Sequence, residues 1–259
     1  MPLEAILKRH ILEKELFDIL KPNQFKDYAP NGLQIQGKED INKIVTGVTA
    51  SQALINKAIE HNADAILVHH GYFWKKESPI LTGIKYQRIS TLIKHDINLF
   101  AYHLPLDAHI KLGNNAQLAK LFGLHVIESL QPWLSVAESI GIAGTFNDAK
   151  SVSEVKAIVE KALGRNVLLE QVNNNLISKV ALCSGGAQGY IDQAADLGAD
   201  LYLTGEVSEQ TIHVARERNI NFIAAGHHAT ERYGVMALGE YLSSQYDVDV
   251  EFIDIDNPA

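Results

Sequence analysis

The sequence predicts an α/β fold built from two similar three-layer lobes with mainly parallel sheets. Short, nearly continuous apolar runs, such as residues 44–48 and 201–204, alternate with segments of helical periodicity. This pattern is typical of strands that are covered by helices on both faces of a parallel sheet. In addition, residues 51–64 align without a gap on residues 187–200, with five identities, and the flanking apolar runs fall in register. The repeat indicates two similar lobes, although βα units in general also resemble one another.

The first lobe is expected to span residues 1–128. Residues 3–20 carry apolar side chains at helical spacing, and Lys21-Pro22-Asn23 predicts the end of that helix. Pro30-Asn31-Gly32 predicts a turn before a short β-rich run. Further along, strands are predicted at residues 44–48, 63–68 and 97–102, and helices at residues 51–60, 86–94 and 115–122.

The second lobe is expected to span residues 129–259, beginning near the Pro132-Trp133 turn signal. Its opening segment is predicted to be strand, helix, strand at residues 138–146, 152–162 and 167–172. The repeated pattern then predicts strands at residues 180–184, 201–204 and 221–225, with a helix that opens at the glycine-rich residues 184–189.

Composition limits the class of protein. The chain has 259 residues, 46% of them hydrophobic and 21% charged, which is typical of globular domains and not of disordered chains. A net charge of −8 argues against a dedicated nucleic-acid surface. The single cysteine, Cys183, excludes an internal disulfide and favours the reducing cytoplasm. Because neither a signal-peptide core nor an apolar run of membrane-spanning length is found, a cytoplasmic protein without membrane association is expected.

Side chains that bind divalent metals follow three of the predicted strands. They are His69 and His70 after the first, His103 and Asp107 after the second, and His227 and Glu231 after the third. Imidazole and carboxylate together suit borderline divalent ions. Since open α/β sheets bind ligands at the carboxyl ends of their strands, these positions predict a metal site.

Each of these signals has a simpler alternative when it is taken alone. His227 and Glu231 are spaced by one helical turn, which also occurs in exposed helices without a metal. His69 and His70 are adjacent, so they can serve two ions, or one can support the other. His103 can relay protons or merely support a ligand. Without His103, the remaining three imidazoles and two carboxylates are enough for two ions, with Glu231 as the bridging carboxylate.

Two further features near the predicted strand ends bear on chemistry. Glu206 occupies the repeat position that matches His70, and is a candidate for handling protons. The glycine-rich residues 184–189 can either cradle a phosphate or form a βα turn that needs glycine for its geometry, and the turn is favoured.

Four motifs together resemble the NIF-three-like family of dinuclear metal proteins, whose members are often labelled GTP cyclohydrolase 1 type 2 homologues. The motifs are Asn31-Gly32-Leu33-Gln34, Val68-His69-His70-Gly71, Tyr102-His103-Leu104-Pro105-Leu106-Asp107 and Gly226-His227-His228-Ala229-Thr230-Glu231. The resemblance implies that His69, His70, Asp107, His227 and Glu231 hold two metal ions. It also implies interlocked lobes, with the helix that carries His227 and Glu231 completing the metal site against the first lobe, and a ring-shaped hexamer. The large insertion of longer members is absent from this chain.

Two functions from different classes fit these observations. The first is a dinuclear hydrolase that acts on a nucleotide, by ring opening as in a GTP cyclohydrolase or by phosphoester hydrolysis. In that function a metal-activated water attacks, His103 or Glu206 manages protons, and the two ions are Zn, Fe, Mn or Ni. The alternative is a non-catalytic metal-binding oligomer that serves as a scaffold or binds a partner protein.

Overall fold

The computed structural model describes residues 7–259. The chain forms two compact units. Unit 1 comprises Met1–Leu106 and Gly234–Asp256, and unit 2 comprises Asp107–Tyr233 and Asn257–Ala259. This division differs from the expected boundary after residue 128, because each sheet recruits strands from distant parts of the sequence. The last strand of the chain pairs with the sheet of unit 1, whereas residues 125–129 pair with the sheet of unit 2.

The first part of the chain supplies most of unit 1. Its elements are β1 (Leu7–Lys8), α1 (Arg9–Leu20), β2 (Gly32–Ile35), β3 (Asp40–Ile41), β4 (Lys43–Thr49), α2 (Gln52–Glu60), β5 (Ala65–His70), α3 (Gly83–Lys94), β6 (Asn98–Ala101) and α4 (Leu104–Ala108), which spans the boundary with unit 2. The middle of the chain supplies unit 2, with α5 (Asn114–Phe122), β7 (His125–Ser129), β8 (Ile142–Lys150), α6 (Val152–Leu163), β9 (Leu168–Glu170), β10 (Ile177–Cys183), α7 (Ile191–Asp196), β11 (Leu201–Thr204), α8 (Glu209–Glu217), β12 (Asn221–Ala224) and α9 (His227–Thr230). The last elements are α10 (Arg232–Gln245) and β13 (Asp249–Phe252).

The predicted helix over residues 3–20 begins only at Arg9 in the structure. Residues 3–6 of that prediction lie outside the described residues. Leu7 and Lys8 are extended because they pair with β3 in a short antiparallel ladder. The helical periodicity itself is confirmed from Arg9 onward, since Leu12, Leu16 and Leu20 are all buried at a spacing of four.

The main sheet of unit 1 has the order β13-β4-β5-β6-β2 and is parallel except for β2. Helices α2 and α3 cover one face, where their apolar side chains join Val45 and Ile66 in one core cluster. Side chains alternate between faces along a strand, so Thr46 lies on the opposite face. There a Cβ on Gly239 of α10 would lie 3.2 Å from Thr46 Cγ2, which shows close packing of α10 on that face. The three-layer α/β prediction is confirmed for this unit.

Unit 2 is also a three-layer α/β unit, and its sheet is mixed. The strand order is β7-β8-β10-β11-β12-β9. Strands β10, β11 and β12 are parallel to one another, whereas every pairing that involves β7, β8 or β9 is antiparallel. Helices α5 and α6 share a core with Val180 and Leu203 on one face. Helices α7 and α8 share a second core with Tyr202 and Phe222 on the other. The strand predicted at residues 138–146 is β8, which begins only at Ile142.

The internal repeat extends to the hydrogen bonds that connect the parallel strands of each unit. In unit 1 the Asp64 carboxylate accepts a backbone N–H from the first residue of β4 at 3.3 Å. In unit 2 the Asp200 carboxylate accepts the equivalent N–H from β10 at 2.8 Å. The amide groups of Asn98 and Asn221 then donate to the carbonyl oxygens of Asp64 and Asp200, at 3.1 and 3.2 Å. The same polar residues therefore satisfy the same buried backbone groups in both units.

Within residues 7–259, no helix combines the length and the apolar character that a membrane crossing requires.

Candidate metal centre

Unit 1 brings three imidazoles together where β5 and β6 end. His69 and His70 are the last residues of β5, and His103 follows β6 by two positions. One ring nitrogen from each of the three lies within 4.8 Å of those from the other two. His69 is fully buried and His103 is 7% exposed. The carboxyl ends of neighbouring parallel strands therefore bring these three side chains together.

Two of the rings are oriented by a second partner. The Nδ1 atom of His69 lies 3.0 Å from the carbonyl oxygen of Tyr102. Because a carbonyl only accepts, Nδ1 carries the proton and Nε2 keeps a lone pair. His103 Nδ1 lies 2.9 Å from a carboxylate oxygen of Asp27, which orients its ring in the same sense. A hydrogen bond from the non-ligating nitrogen is the usual support of a metal-binding or proton-transferring histidine.

Asp27 is a site residue that the sequence did not reveal. Its carboxylate accepts from His103 and from the backbone N–H of Leu104, and its side chain is 4% exposed. Burial opposes the charge of Asp27, but hydrogen bonds from His103 and Asn31 outweigh burial and lower its pKa to about 2. Asn31 also accepts the backbone N–H of His103 at 2.7 Å. The aspartate is thus an anionic anchor for the His103 loop.

The Asn31–Gln34 motif has a physical explanation in these contacts. Gln34 accepts the backbone N–H of Tyr72 at 2.7 Å and donates to the Tyr72 carbonyl at 3.2 Å. A Cβ on Gly71 would lie 2.2 Å from Gln34 Oε1, so glycine is required there. Asn31 therefore holds the loop after β6, and Gln34 holds the loop after β5.

Two aromatic rings lie beside the histidine cluster of unit 1. The ring of Trp74 lies 5.1 Å from that of His103 and 5.7 Å from that of His70, between centroids. Tyr28 lies 5.0 Å from His103 in an edge-to-face arrangement and is 54% exposed. The loop after the double histidine contributes Tyr72 to the core and Trp74 to the site.

Unit 2 gathers Glu206 and Glu231 around His227. Its Nδ1 lies 2.7 Å from Glu206 Oε1, and its Nε2 lies 3.1 Å from Glu231 Oε1. Burial disfavours the imidazolium, but hydrogen bonds and charges from Glu231 and Glu206 prevail and raise the His227 pKa to about 9. The single turn of α9 thus places His227 and Glu231 on the same side, as their spacing predicted.

The loop after β10 lies close to the carboxylates of Asp107 and Glu231. Ser184 Oγ donates to Asp107 Oδ1 at 2.9 Å. A Cβ on Gly185 would lie 2.2 Å from Glu231 Oε1 and 3.2 Å from His227 Nε2, and Gly185 has a φ of +65°. The Gly185 N–H donates to the Thr230 hydroxyl at 3.0 Å. Glycine therefore allows the backbone to approach Glu231, which agrees with the turn interpretation of this loop and not with a phosphate cradle.

Cys183 borders the same acids and has no role as a nucleophile. Complete burial, together with the negative charges of Asp107 and Glu231, raises the pKa of its thiol well above the usual value. A thiol that stays protonated is a poor nucleophile and a poor metal ligand.

The donor sets of both units fit a divalent metal. Unit 1 offers imidazole nitrogens with oriented tautomers, and unit 2 offers one imidazole and the buried carboxylates of Asp107 and Glu231. Such nitrogen and oxygen donors are those that zinc, iron, manganese and nickel accept. The missing Cβ of Gly185 leaves a space for the Glu231 carboxylate, which we call the Gly185 cradle. This cradle is a second feature that keeps the carboxylate in one position.

Comparison with known proteins identifies the family. The family model described as Duf34/NIF3 (NGG1p interacting factor 3) matches residues 7–258. A protein of Haemophilus influenzae named GTP cyclohydrolase 1 type 2 homolog is 56% identical over 249 residues, covering 96% of this chain and 98% of that protein. The Escherichia coli K12 protein of the same name is 51% identical over 257 residues, covering 98% and 100%.

Solved structures agree with this result. A structure described as protein ybgI, of unknown function, has a TM-score of 0.93 and 50% identity, covering 98% of this chain and 100% of that one. A protein from Thermus thermophilus has a TM-score of 0.88 and 33% identity, covering 98% and 100%. From its motifs, its fold and its relatives over nearly the whole length, this chain belongs to the Duf34/NIF3 family.

Proposed function

We propose that this protein is a metal-dependent hydrolase and that His69, His70, Asp107, His227 and Glu231 hold two divalent ions. The observation that carries the proposal is the convergence of histidine nitrogens within 4.8 Å at the end of β5, with the buried ring of His69 oriented by a carbonyl oxygen. Imidazoles oriented in this way are typical of metal sites. The buried Glu231 carboxylate, 3% exposed and held in the Gly185 cradle, is our choice for the bridging ligand.

Two divalent ions at these residues would supply Lewis-acid activation of a water and stabilise negative charge on substrate oxygens. The chain itself supplies groups that move protons. His103 has its Nδ1 committed to Asp27, so its Nε2 is the nitrogen that accepts or donates a proton. Glu206 holds the Nδ1 side of His227 and adds a second carboxylate that can take up a proton.

The substrate class that we propose is a nucleotide, which undergoes ring opening or phosphoester hydrolysis. Support comes from the name GTP cyclohydrolase 1 type 2 homolog, carried by the Haemophilus influenzae and Escherichia coli relatives. The aromatic faces of Tyr28 and Trp74 beside His103 also suit a heterocyclic base.

Replacement of the proposed bridging carboxylate tests this function. Protein purified without added metal is analysed for bound elements, then assayed with nucleotides, phosphodiesters and cyclic amides. In Glu231→Gln we expect turnover to fall at least about a hundredfold and metal stoichiometry to decrease, while the fold is retained. Glu217→Gln, an exposed glutamate at the end of α8, is the matched control and should behave like the wild type.

The outcomes separate catalysis from a scaffold role. Turnover that survives Glu231→Gln would assign the activity to another site or to a contaminant. Bound metal without turnover on any substrate of the panel would favour the non-catalytic oligomer. A metal stoichiometry near zero after reconstitution would refute both. The ring-shaped hexamer stays a prediction, which the sedimentation mass of the purified protein would test.

A further inference from the structure

A cavity of about 350 Å³ lies in unit 2 beside Glu206. Its volume is at the lower end of the range found for small-molecule sites. Leu168 and Val207 form an apolar part of its wall. The polar part comes from Arg165, Asn166 and Glu206. A cavity with one cationic and one anionic wall fits a small polar ligand better than an apolar one.

Arg165 is held in place on the wall of this cavity. A Cβ on Gly226 would lie 2.0 Å from Arg165 Nη1, so the guanidinium rests directly on the backbone of Gly226. Gly226 has a φ of +99°, which favours glycine independently of this contact. Gly226 immediately precedes His227 in the sequence. The guanidinium therefore contacts the residue next to a side chain of the proposed metal centre.

The guanidinium already binds two main-chain oxygens. Arg165 Nη2 donates to the Pro258 oxygen at 2.9 Å, and Nη1 donates to the Ala259 oxygen at 3.4 Å. The backbone N–H of His228 donates to the same Ala259 oxygen at 3.2 Å. Donors from two parts of unit 2 therefore converge on oxygen atoms at the edge of the cavity.

The guanidinium of Arg165 also suits a phosphate or carboxylate group of a ligand. A guanidinium presents parallel N–H groups that match two oxygens of an oxyanion, and the charge-assisted bonds are about twice as strong as neutral ones. Glu206 does not oppose such a ligand at close range, because its carboxylate is engaged by His227 at 2.7 Å and by Gln188 at 3.3 Å.

We propose that this cavity is the subsite for an anionic group of the substrate and that Arg165 binds that group in place of the Pro258 and Ala259 oxygens. The inference rests on the proposed function, since Glu206 lines the cavity and also contacts His227. It assigns to Arg165 a role in substrate binding. It also selects phosphorylated or carboxylated substrates over their neutral analogues.

Binding of guanosine 5′-monophosphate and of guanosine to metal-free protein, measured by calorimetry, tests the assignment. Without metal, a preference for the phosphorylated ligand depends on the chain alone. We expect the wild type to bind the monophosphate at least about tenfold more tightly than the nucleoside, which corresponds to one charge-assisted contact. Arg165→Gln should lose that preference, and Arg165→Lys should retain only part of it, because lysine keeps the charge without the planar fork.

Arg216→Gln is the matched control. Arg216 is also in unit 2, but its guanidinium pairs with Glu170 and does not line the cavity. This variant should keep the full preference for the phosphorylated ligand. A folded Arg165→Gln variant with unchanged preference would overturn the assignment, as would a wild type that binds both ligands equally. If Arg165→Gln does not fold, an undiminished preference in Arg165→Lys would overturn it.

The result is distinguishable from failure of the proposed function. An Arg165-dependent preference in a protein without turnover would support the subsite and refute the hydrolase. Turnover of a phosphorylated substrate with a KM that is unchanged in Arg165→Lys would support the hydrolase and refute the subsite.

Discussion

Gly185→Ala is the most direct perturbation of the proposed metal centre that leaves every donor atom present. The added Cβ would lie 2.2 Å from Glu231 Oε1, whereas ordinary van der Waals contact begins near 3.4 Å. Either the carboxylate or the backbone must move by about 1 Å. The backbone is restrained, since Gly185 donates to Thr230 and its carbonyl accepts from the Thr204 hydroxyl at 3.1 Å. The Glu231 carboxylate is therefore the group that moves.

Gly164→Ala provides a matched control for backbone strain. Gly164 has a φ of +69°, close to the +65° of Gly185, but a Cβ there would meet nothing within 4 Å. Both variants should lose roughly 1–2 kcal/mol of unfolding free energy, because each places alanine in the left-handed region. Only Gly185→Ala should also change metal binding, since only there does the new methyl group displace a proposed ligand.

Metal affinity distinguishes the two variants. We expect about 10–100-fold weaker zinc binding in Gly185→Ala, the range seen when the support of a metal ligand is disturbed. Titration against a competing chelator measures the affinity, and denaturant unfolding of the metal-free proteins measures stability. If both variants bind zinc as tightly as the wild type, the close approach of Gly185 to Glu231 has no role in ligation and our reasoning about the cradle is wrong.

Two further predictions concern pH. The Asp27 pKa is lowered from 3.8 to about 2, so its stabilising effect is complete above pH 4 and is lost as the pH falls towards 2. The difference in unfolding free energy between wild type and Asp27→Asn, measured by urea unfolding, should accordingly shrink by about 1–2 kcal/mol between about pH 4.5 and pH 2. A difference independent of pH would contradict the stabilisation of the Asp27 carboxylate by its hydrogen bonds. The second prediction follows from the His227 pKa of about 9: its imidazole is protonated at pH 7 and must lose that proton to bind a metal. Zinc binding should therefore release about one more proton at pH 7 than at pH 10. Calorimetry in buffers of different ionisation enthalpy measures the number of protons released. Equal release at both pH values would exclude a competition between the proton and zinc for His227.

The elements that define the fold were predictable from local pattern. Ser51 was expected to begin α2, and its side chain accepts the backbone N–H of Leu54 as an N-cap does. The strands β5, β11 and β12 were expected because short apolar runs ended in turn signals or histidines. By contrast, β7 and β13 were not predicted. Residues of β7 are largely exposed and those of β13 are at most half-buried, so neither strand has a continuous apolar run.

The candidate site was only partly predictable. His69, His70 and His103 follow neighbouring strands, so they were expected to lie close together, and the structure has their ring nitrogens within 4.8 Å of one another. Asp27 was missed, since it lies 76 positions from His103 in the sequence and outside any strand. The nearest signal was the Asn31-Gly32 turn, whose asparagine contacts the same loop. Arg165 was missed as well. It follows a helix, where basic residues are common, and its contacts with Gly226, Pro258 and Ala259 are far away in the sequence.

The sequence by itself determined which segments become strands and helices, and which strand ends carry imidazoles and carboxylates. Both follow from hydrophobic periodicity and residue type, which act over a few neighbouring positions. Only the tertiary structure decided which groups surround those donors and the loops that carry them. Examples are Asp27 beside His103, Gln34 beside Gly71, Gly185 beside Glu231 and Arg165 beside Gly226. These contacts depend on the close approach of chain segments tens of residues apart, and such an approach leaves no periodic trace in the sequence.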